Sequence, residues 1–119
     1  MEVEKLDFVA VPARDADRAR RFYVETLGLR PDEHGQYEVW AGDTCFSIWQ
    51  PERLGTEFQP QRNGHIALRV ADVAAARQEL EAKGVEFDGD ILDTSVCHMA
   101  FFRDPDGNAI MLHRRYAPR

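Results

Sequence analysis

Short strand-like runs of apolar residues alternate with amphipathic helical spacing along the chain. Apolar and β-branched residues predict one strand at residues 6–11 and another at residues 65–70. An aspartate follows each strand, Asp15 or Asp72, and is placed to cap a helix by accepting backbone N–H bonds. Apolar residues then recur at helical spacing until a glycine. Both helices are therefore predicted to pack one apolar face against a sheet.

The segments after the two helices are strand-like. Strands are predicted at residues 36–41, 44–49, 85–91, 96–102 and 109–113, with a weaker one at 29–34. The tetrapeptide Asp104-Pro105-Asp106-Gly107 fits a type I turn between the last two strands, with Asp first, Pro second and Gly fourth. Each half thus contains a strand, a helix and about three further strands.

The second half of the chain repeats the first. A shift of 57 positions aligns the segment that begins at residue 8 with the segment that begins at residue 65. The shift produces the identities Ala10/Ala67, Asp15/Asp72, Ala19/Ala76 and Arg20/Arg77. We predict a single α+β domain of two modules, about residues 5–50 and 64–114, joined by a polar linker at 51–63. A ferredoxin-like fold is the alternative, but it needs only one further strand after each helix.

Composition narrows the class of protein. A length of 119 residues suits one domain, and 44% hydrophobic with 30% charged residues is typical of globular proteins. The net charge of −6 argues against nucleic acid as a partner. No apolar run is long enough for a membrane span, and the N-terminus lacks a secretory pattern. Cys45 and Cys97 lie in predicted strands, so we expect reduced, buried thiols and a cytoplasmic protein.

These motifs together resemble the vicinal oxygen chelate superfamily, which includes glyoxalase I, extradiol dioxygenases, and fosfomycin and bleomycin resistance proteins. The resemblance rests on residues 8–11 leading to Asp15, Phe22-Tyr23 and Leu27-Gly28-Leu29, and on residues 65–70 leading to Asp72 and the run 102–108. It implies two tandem βαβββ modules that form a cupped mixed β-sheet with helices on the outer face. A homodimer usually completes the cavity in this superfamily.

The resemblance also indicates where metal ligands would stand. In metal-using relatives they come from the first and last strands of each module, which here gives Phe8, His65, Phe46 and Met111 when the modules are aligned through Gly42 and Gly107. Only His65 can ligate a divalent ion, whereas a catalytic metal typically takes three protein ligands. We therefore expect no cofactor. The alternative is one Zn, Mn, Ni or Fe ion in a displaced site that includes His65 and His113.

Other residues are candidates for binding. Arg69 lies on the same strand face as His65 and could pair with a carboxylate or phosphate. The apolar residues predicted to line a pocket are Phe8, Phe46, Phe101 and Met111. Strand alternation turns Trp49 away from Phe46, toward the helix, and turns His98 away from the pocket. The basic tail at residues 113–116 is expected to be a solvated end.

Three functions follow as hypotheses. The first is metal-free binding of a small apolar or aromatic molecule in the sheet cavity or the groove of a homodimer. The second is a divalent-metal-dependent lyase, isomerase or dioxygenase that uses the displaced site with His65. The third is a non-catalytic interaction module in which side chains fill the cavity.

Overall fold

The computed structural model describes all residues from Met1 to Arg119, which fall into two compact units, Met1–Pro60 and Gln61–Arg119. Each unit contains one four-stranded mixed sheet and one α-helix. The helices are too short and too polar for any of them to cross a bilayer.

The first unit has its strands in the order β1-β4-β3-β2. Its elements are β1 (Val9–Pro12), α1 (Ala16–Arg21), a π-helical turn (Phe22–Thr26), β2 (Arg30–Pro31), β3 (Glu38–Ala41), β4 (Thr44–Trp49) and a 3-10 helix (Pro51–Leu54). Strands β1 and β4 are parallel, and the other pairs are antiparallel. The Asp15 carboxylate accepts the N–H groups of Asp17 and Arg18, which fixes the start of α1 as predicted.

The second unit repeats this arrangement in the order β5-β8-β7-β6, with β5 and β8 parallel. Its elements are β5 (Ile66–Arg69), α2 (Val73–Ala82), β6 (Phe87–Asp93), β7 (Cys97–Arg103) and β8 (Ala109–Arg115). The Asp72 carboxylate caps α2 by accepting the Ala75 N–H at 3.0 Å. The basic tail that we expected in solvent is instead half-buried at residues 113–115, which are the end of β8, and only Tyr116 follows the strand and is exposed.

A buried polar turn joins β7 to β8. The Gly107 N–H donates to the Asp104 carbonyl at 3.0 Å, as the predicted type I turn requires. The Asp104 carboxylate accepts the N–H groups of Asp106 and Asn108 and the Asn108 side-chain amide at 2.8–2.9 Å. The Asn108 side-chain oxygen in turn accepts the Gln61 N–H at 2.9 Å. The turn is therefore a fixed part of the second unit.

The α+β class with two tandem βαβββ modules is confirmed. Because three strands follow the helix in each unit, the ferredoxin-like alternative is wrong. Strand boundaries differ at one place that matters below: β1 begins at Val9, so Phe8 precedes the strand and is 50% exposed. The segment 51–63 is more structured than a polar linker, since it contains the 3-10 helix and the buried Phe58.

Candidate functional site

Each sheet has one face packed against its helix and an opposite face that we call the open face. In the second unit, Phe102 lies on the helix side, because its ring packs against Phe87 at 5.1 Å and the Phe87 ring is covered by Arg77 of α2 at 4.9 Å. The buried Ile110 and Leu112 share that side. Alternation then places Met99, Phe101, Met111 and His113 on the open face.

The open face of the second unit carries an apolar strip with basic side chains at its border. Phe101 is opposite Met111, and Met99 is opposite His113, in the register of β7 and β8. All four are half-buried. His65, which is exposed, packs edge-on against the Phe101 ring with 5.4 Å between centroids.

Arg69 borders the same strip. It is opposite His113 in the parallel pairing of β5 and β8, and it is exposed. The structure therefore brings together five of the predicted site residues, His65, Arg69, Phe101, Met111 and His113, on one face of one sheet. His98 is opposite Arg114, on the helix side, as alternation predicted.

Phe46 does not belong to the open face of the first unit. Its ring packs edge-on against Tyr23, at 6.0 Å between centroids, and it is 2% exposed on the helix side. The register explains the difference, because Val9 is opposite Phe46 while the equivalent Ile66 is opposite Ile110. The position equivalent to Met111 is therefore Ser47, which is opposite Ala10.

The same shift by one residue moves Trp49 from the helix side, where it was predicted, to the open face. Alternation from Phe46 places Trp49 on the open face, where it is opposite Pro12 and only half-buried. Its indole Nε1 is buried and lacks a hydrogen-bond partner. Trp40, opposite Cys45, lies on the same face. Phe8 is a further departure, since a half-exposed residue outside the strand does not line a closed pocket.

Polar side chains around Trp40 complete the open face of the first unit. The indole Nε1 of Trp40 donates to Asp32 at 2.8 Å, and the N–H groups of His34 and Gly35 donate to the same carboxylate. These donors, that of Gly35 foremost, lower the pKa of Asp32 to about 2. Asp32 therefore stays ionised at neutral pH and holds the Trp40 ring in place.

Cys45 is a thiol rather than a thiolate at neutral pH. Burial, followed by its hydrogen bond to Glu38 at 3.3 Å, raises its pKa to about 11. A carboxylate beside the sulfur opposes its ionisation. Cys45 and Cys97 are both buried and free, as expected from the sequence, and Cys45 is unsuited to act as a nucleophile.

The donor set at the positions equivalent to the superfamily's metal ligands does not fit a divalent ion. With the corrected register these positions hold Phe8, Ser47, His65 and Met111. One imidazole and one hydroxyl are too few donors for a zinc or iron centre. No group of three His, Cys, Asp or Glu side chains in the chain is arranged to hold a metal ion.

Sequence reasoning missed several residues of the open faces. Ser47 and Glu38 were not considered as site residues, and Asp32 was assigned to a weak strand. Ser47 is opposite Glu38 in the pairing of β3 and β4, so the two share one face. Alternation within β4 places Ser47 on the face opposite Phe46, and the pairing of β4 with β1 identifies that face as the open one.

Comparisons with known proteins agree with this architecture. The sequence pattern of the Glyoxalase/Bleomycin resistance protein/Dioxygenase superfamily matches residues 5–112. A protein named "Probable lactoylglutathione lyase" from Vibrio parahaemolyticus serotype O3:K6 is 32% identical over 117 residues, which cover 82% of this chain and 81% of that protein. The chain spans about half of another relative, the lactoylglutathione lyase of Schizosaccharomyces pombe, at 24% identity.

Solved structures show the same fold. TnmS3, an antibiotic-binding protein from Streptomyces sp. CB03234, matches with a TM-score of 0.74 and 30% identity, covering 97% of this chain and 98% of that one. A superfamily member from Sphaerobacter thermophilus matches with a TM-score of 0.75 and 23% identity, covering 93% and 97%. The family resemblance of the sequence is thereby confirmed. The chain belongs to the Glyoxalase/Bleomycin resistance protein/Dioxygenase superfamily.

Proposed function

We propose that this protein binds a small apolar or aromatic molecule on the open face of its second unit, without a divalent metal. The observation that carries the proposal is the half-buried strip of Met99, Phe101 and Met111, bordered by His65 and His113. Small-molecule sites are mostly apolar, with a few polar groups that orient the ligand. This face has that composition.

The border residues are suited to orient a ligand. The edge-on contact with Phe101 holds the His65 ring beside the strip, and Arg69 is exposed and opposite His113. An arginine can form two parallel hydrogen bonds with a carboxylate. Asp88 is opposite Phe101, and its carboxylate pairs with Arg103 at 3.5 Å. Asp88 therefore does not neutralise the basic side chains on the other side of the strip, His65 and Arg69.

The relatives support binding as a function of this fold. TnmS3 is described as an antibiotic-binding protein, and it shares 30% of its residues with this chain over nearly the full length of both. Binding by sequestration needs no metal, which agrees with the donor set of Phe8, Ser47, His65 and Met111. We include a cytoplasmic location and a homodimer in the proposal, since a second copy could complete the site.

Nile red, a neutral aromatic dye whose emission responds to apolar surroundings, tests this proposal. We expect saturable binding of the dye to folded, chelator-treated protein. Met111→Glu should weaken the dye's affinity at least fivefold, because it places a charge within the apolar strip. The matched control is Leu54→Glu, which changes an exposed leucine of the first unit and should leave the affinity unchanged.

Two results contradict the binding proposal. Unchanged affinity in Met111→Glu would show that the dye binds elsewhere. Absence of saturable binding would favour the interaction-module hypothesis. Circular dichroism of both variants separates loss of binding from loss of folding.

The second candidate is a metal-dependent enzyme, favoured by the similarity to proteins named lactoylglutathione lyase. It requires a displaced site in which His65 and His113 gain a further ligand. That requirement is tested by the metal measurement that closes the Discussion.

A further inference from the structure

A cavity of about 580 Å³ lies wholly within the second unit, apart from the open face. It is found where α2 begins and β8 ends, because the parallel pairing of β5 and β8 brings the carboxyl ends of both strands beside the first turn of the helix. Its lining residues are Ala71, Asp72, Val73, Ala74, Ile91, His98, Arg114, Arg115 and Tyr116.

Arg114 gives this cavity a basic wall, and Arg115, the next residue of β8, also lines it. The Arg114 side chain is half-buried and has no hydrogen-bond or ion-pair partner. Arg115 donates from Nη2 to the Pro118 carbonyl at 2.9 Å, while its Nε is buried without a partner. Buried donors of this kind cost free energy unless they meet an acceptor. A guanidinium with unused donors is suited to bind a carboxylate or phosphate.

The neighbouring helix adds to the positive potential. Asp72 is the only acidic residue that lines the cavity, and its carboxylate is engaged in capping the Ala75 N–H. The first-turn residues Val73 and Ala74 line the cavity and receive no side-chain cap. The dipole of a ten-residue helix favours an anion at this end.

A hydrogen-bonded cluster lies beside Arg114, because His98 is opposite Arg114 in the pairing of β7 and β8. The Tyr116 hydroxyl donates to Asp93 at 2.7 Å, and His98 Nε2 lies 3.4 Å from the other Asp93 oxygen. The His98 and Tyr116 rings pack against each other at 4.8 Å. The hydroxyl of Tyr116, together with the Ser95 N–H, lowers the pKa of Asp93, which keeps this carboxylate ionised and bound to its partners.

We infer that this cavity binds a small organic anion through a phosphate or carboxylate group held by Arg114. The basic wall supplies the charge, and the helix end supplies additional donors. A volume of about 580 Å³ is within the range of small-ligand sites and exceeds what a single inorganic ion fills. The site is independent of the open face and of the function proposed for it.

Isothermal titration at low ionic strength tests the inference with three probes, phenyl phosphate, benzoate and inorganic phosphate. We expect saturable binding of phenyl phosphate and a loss of at least tenfold in affinity in Arg114→Gln. Arg114→Lys keeps the charge and loses the forked donors, so its affinity for phenyl phosphate should lie between those of the unchanged protein and Arg114→Gln.

The matched control is Arg103→Gln. Arg103 is in the same sheet, at the opposite end of β7 from His98, and it pairs with Asp88 at 3.5 Å. Its loss removes the same charge and should leave phenyl phosphate affinity within twofold. Equal losses in the Arg103 and Arg114 variants would show general charge attraction and overturn the inference.

The probes also distinguish the source of the anion. Stronger binding of phenyl phosphate than of inorganic phosphate supports an organic phosphate, and preference for benzoate supports a carboxylate. Failure of all three probes to saturate the folded protein overturns the inference. Circular dichroism establishes that each variant is folded.

Discussion

Replacing Phe46 with alanine is expected to lower the free energy of unfolding by about 3 to 5 kcal/mol. The ring is 2% exposed and packs edge-on against the buried Tyr23, so its removal leaves a cavity between the sheet and the helix of the first unit. Urea unfolding followed by circular dichroism measures the change, and the melting temperature should fall by more than about 10 °C.

Phe101→Ala is the matched control for this prediction. Phe101 is a strand phenylalanine as well, but it is half-buried on an open face, with His65 as its ring partner. We expect it to cost about half as much or less, since its loss opens no enclosed cavity. Equal costs for the two variants would contradict the assignment of Phe46 to the helix side.

Replacing Asp104 with alanine is expected to destabilise the second unit by about 3 kcal/mol or more. The residue is 5% exposed, and its carboxylate is the acceptor for two backbone N–H groups and for the Asn108 amide. Its removal leaves buried donors without acceptors, each of which costs about 1 to 3 kcal/mol. The measurement is the same urea titration.

Asp43→Ala is the control for Asp104. Asp43 stands in the corresponding turn of the first unit, between β3 and β4, and it is exposed. We expect a change within about 0.5 kcal/mol, which is usual for surface substitutions. A near-neutral Asp104→Ala variant would mean that the turn between β7 and β8 is not held by its carboxylate.

The elements and their repeat could be predicted because local signals agreed with one another. Asp15 and Asp72 cap their helices as expected, and alternation identified both strands of each final hairpin. The prediction of the helix in the first module was less accurate. Its apolar spacing was consistent with one helix, but the last turn is π-helical, at Phe22–Thr26.

The site could not be predicted to the residue, because a register depends on loop length. Six residues separate the paired Val39 and Phe46, whereas seven separate the paired Phe102 and Ile110. Alignment of the turn glycines therefore misplaces β4 by one residue, and in a strand one residue exchanges the two faces. Phe46 and Trp49 were assigned to the wrong sides for this single reason.

The anion-binding cavity could not be predicted from the sequence for a different reason. A run of basic residues near the end of a chain is typical of a solvated tail. Here these basic residues line a cavity instead, because the parallel pairing of β5 and β8 places Arg114 and Arg115 beside the first turn of α2. That proximity is a property of the topology rather than of the local pattern.

A metal titration tests whether this superfamily member binds its ligand without a divalent metal. Chelator-treated protein is melted with excess Zn²⁺, Mn²⁺, Ni²⁺ or Fe²⁺, and the metal content of untreated protein is measured in parallel. A bound ion at 100 times its Kd would stabilise the fold by about 2.7 kcal/mol, a shift of several degrees. We expect no such shift and substoichiometric metal. A stabilising shift with about one metal per chain, both lost in His65→Ala, would contradict this expectation.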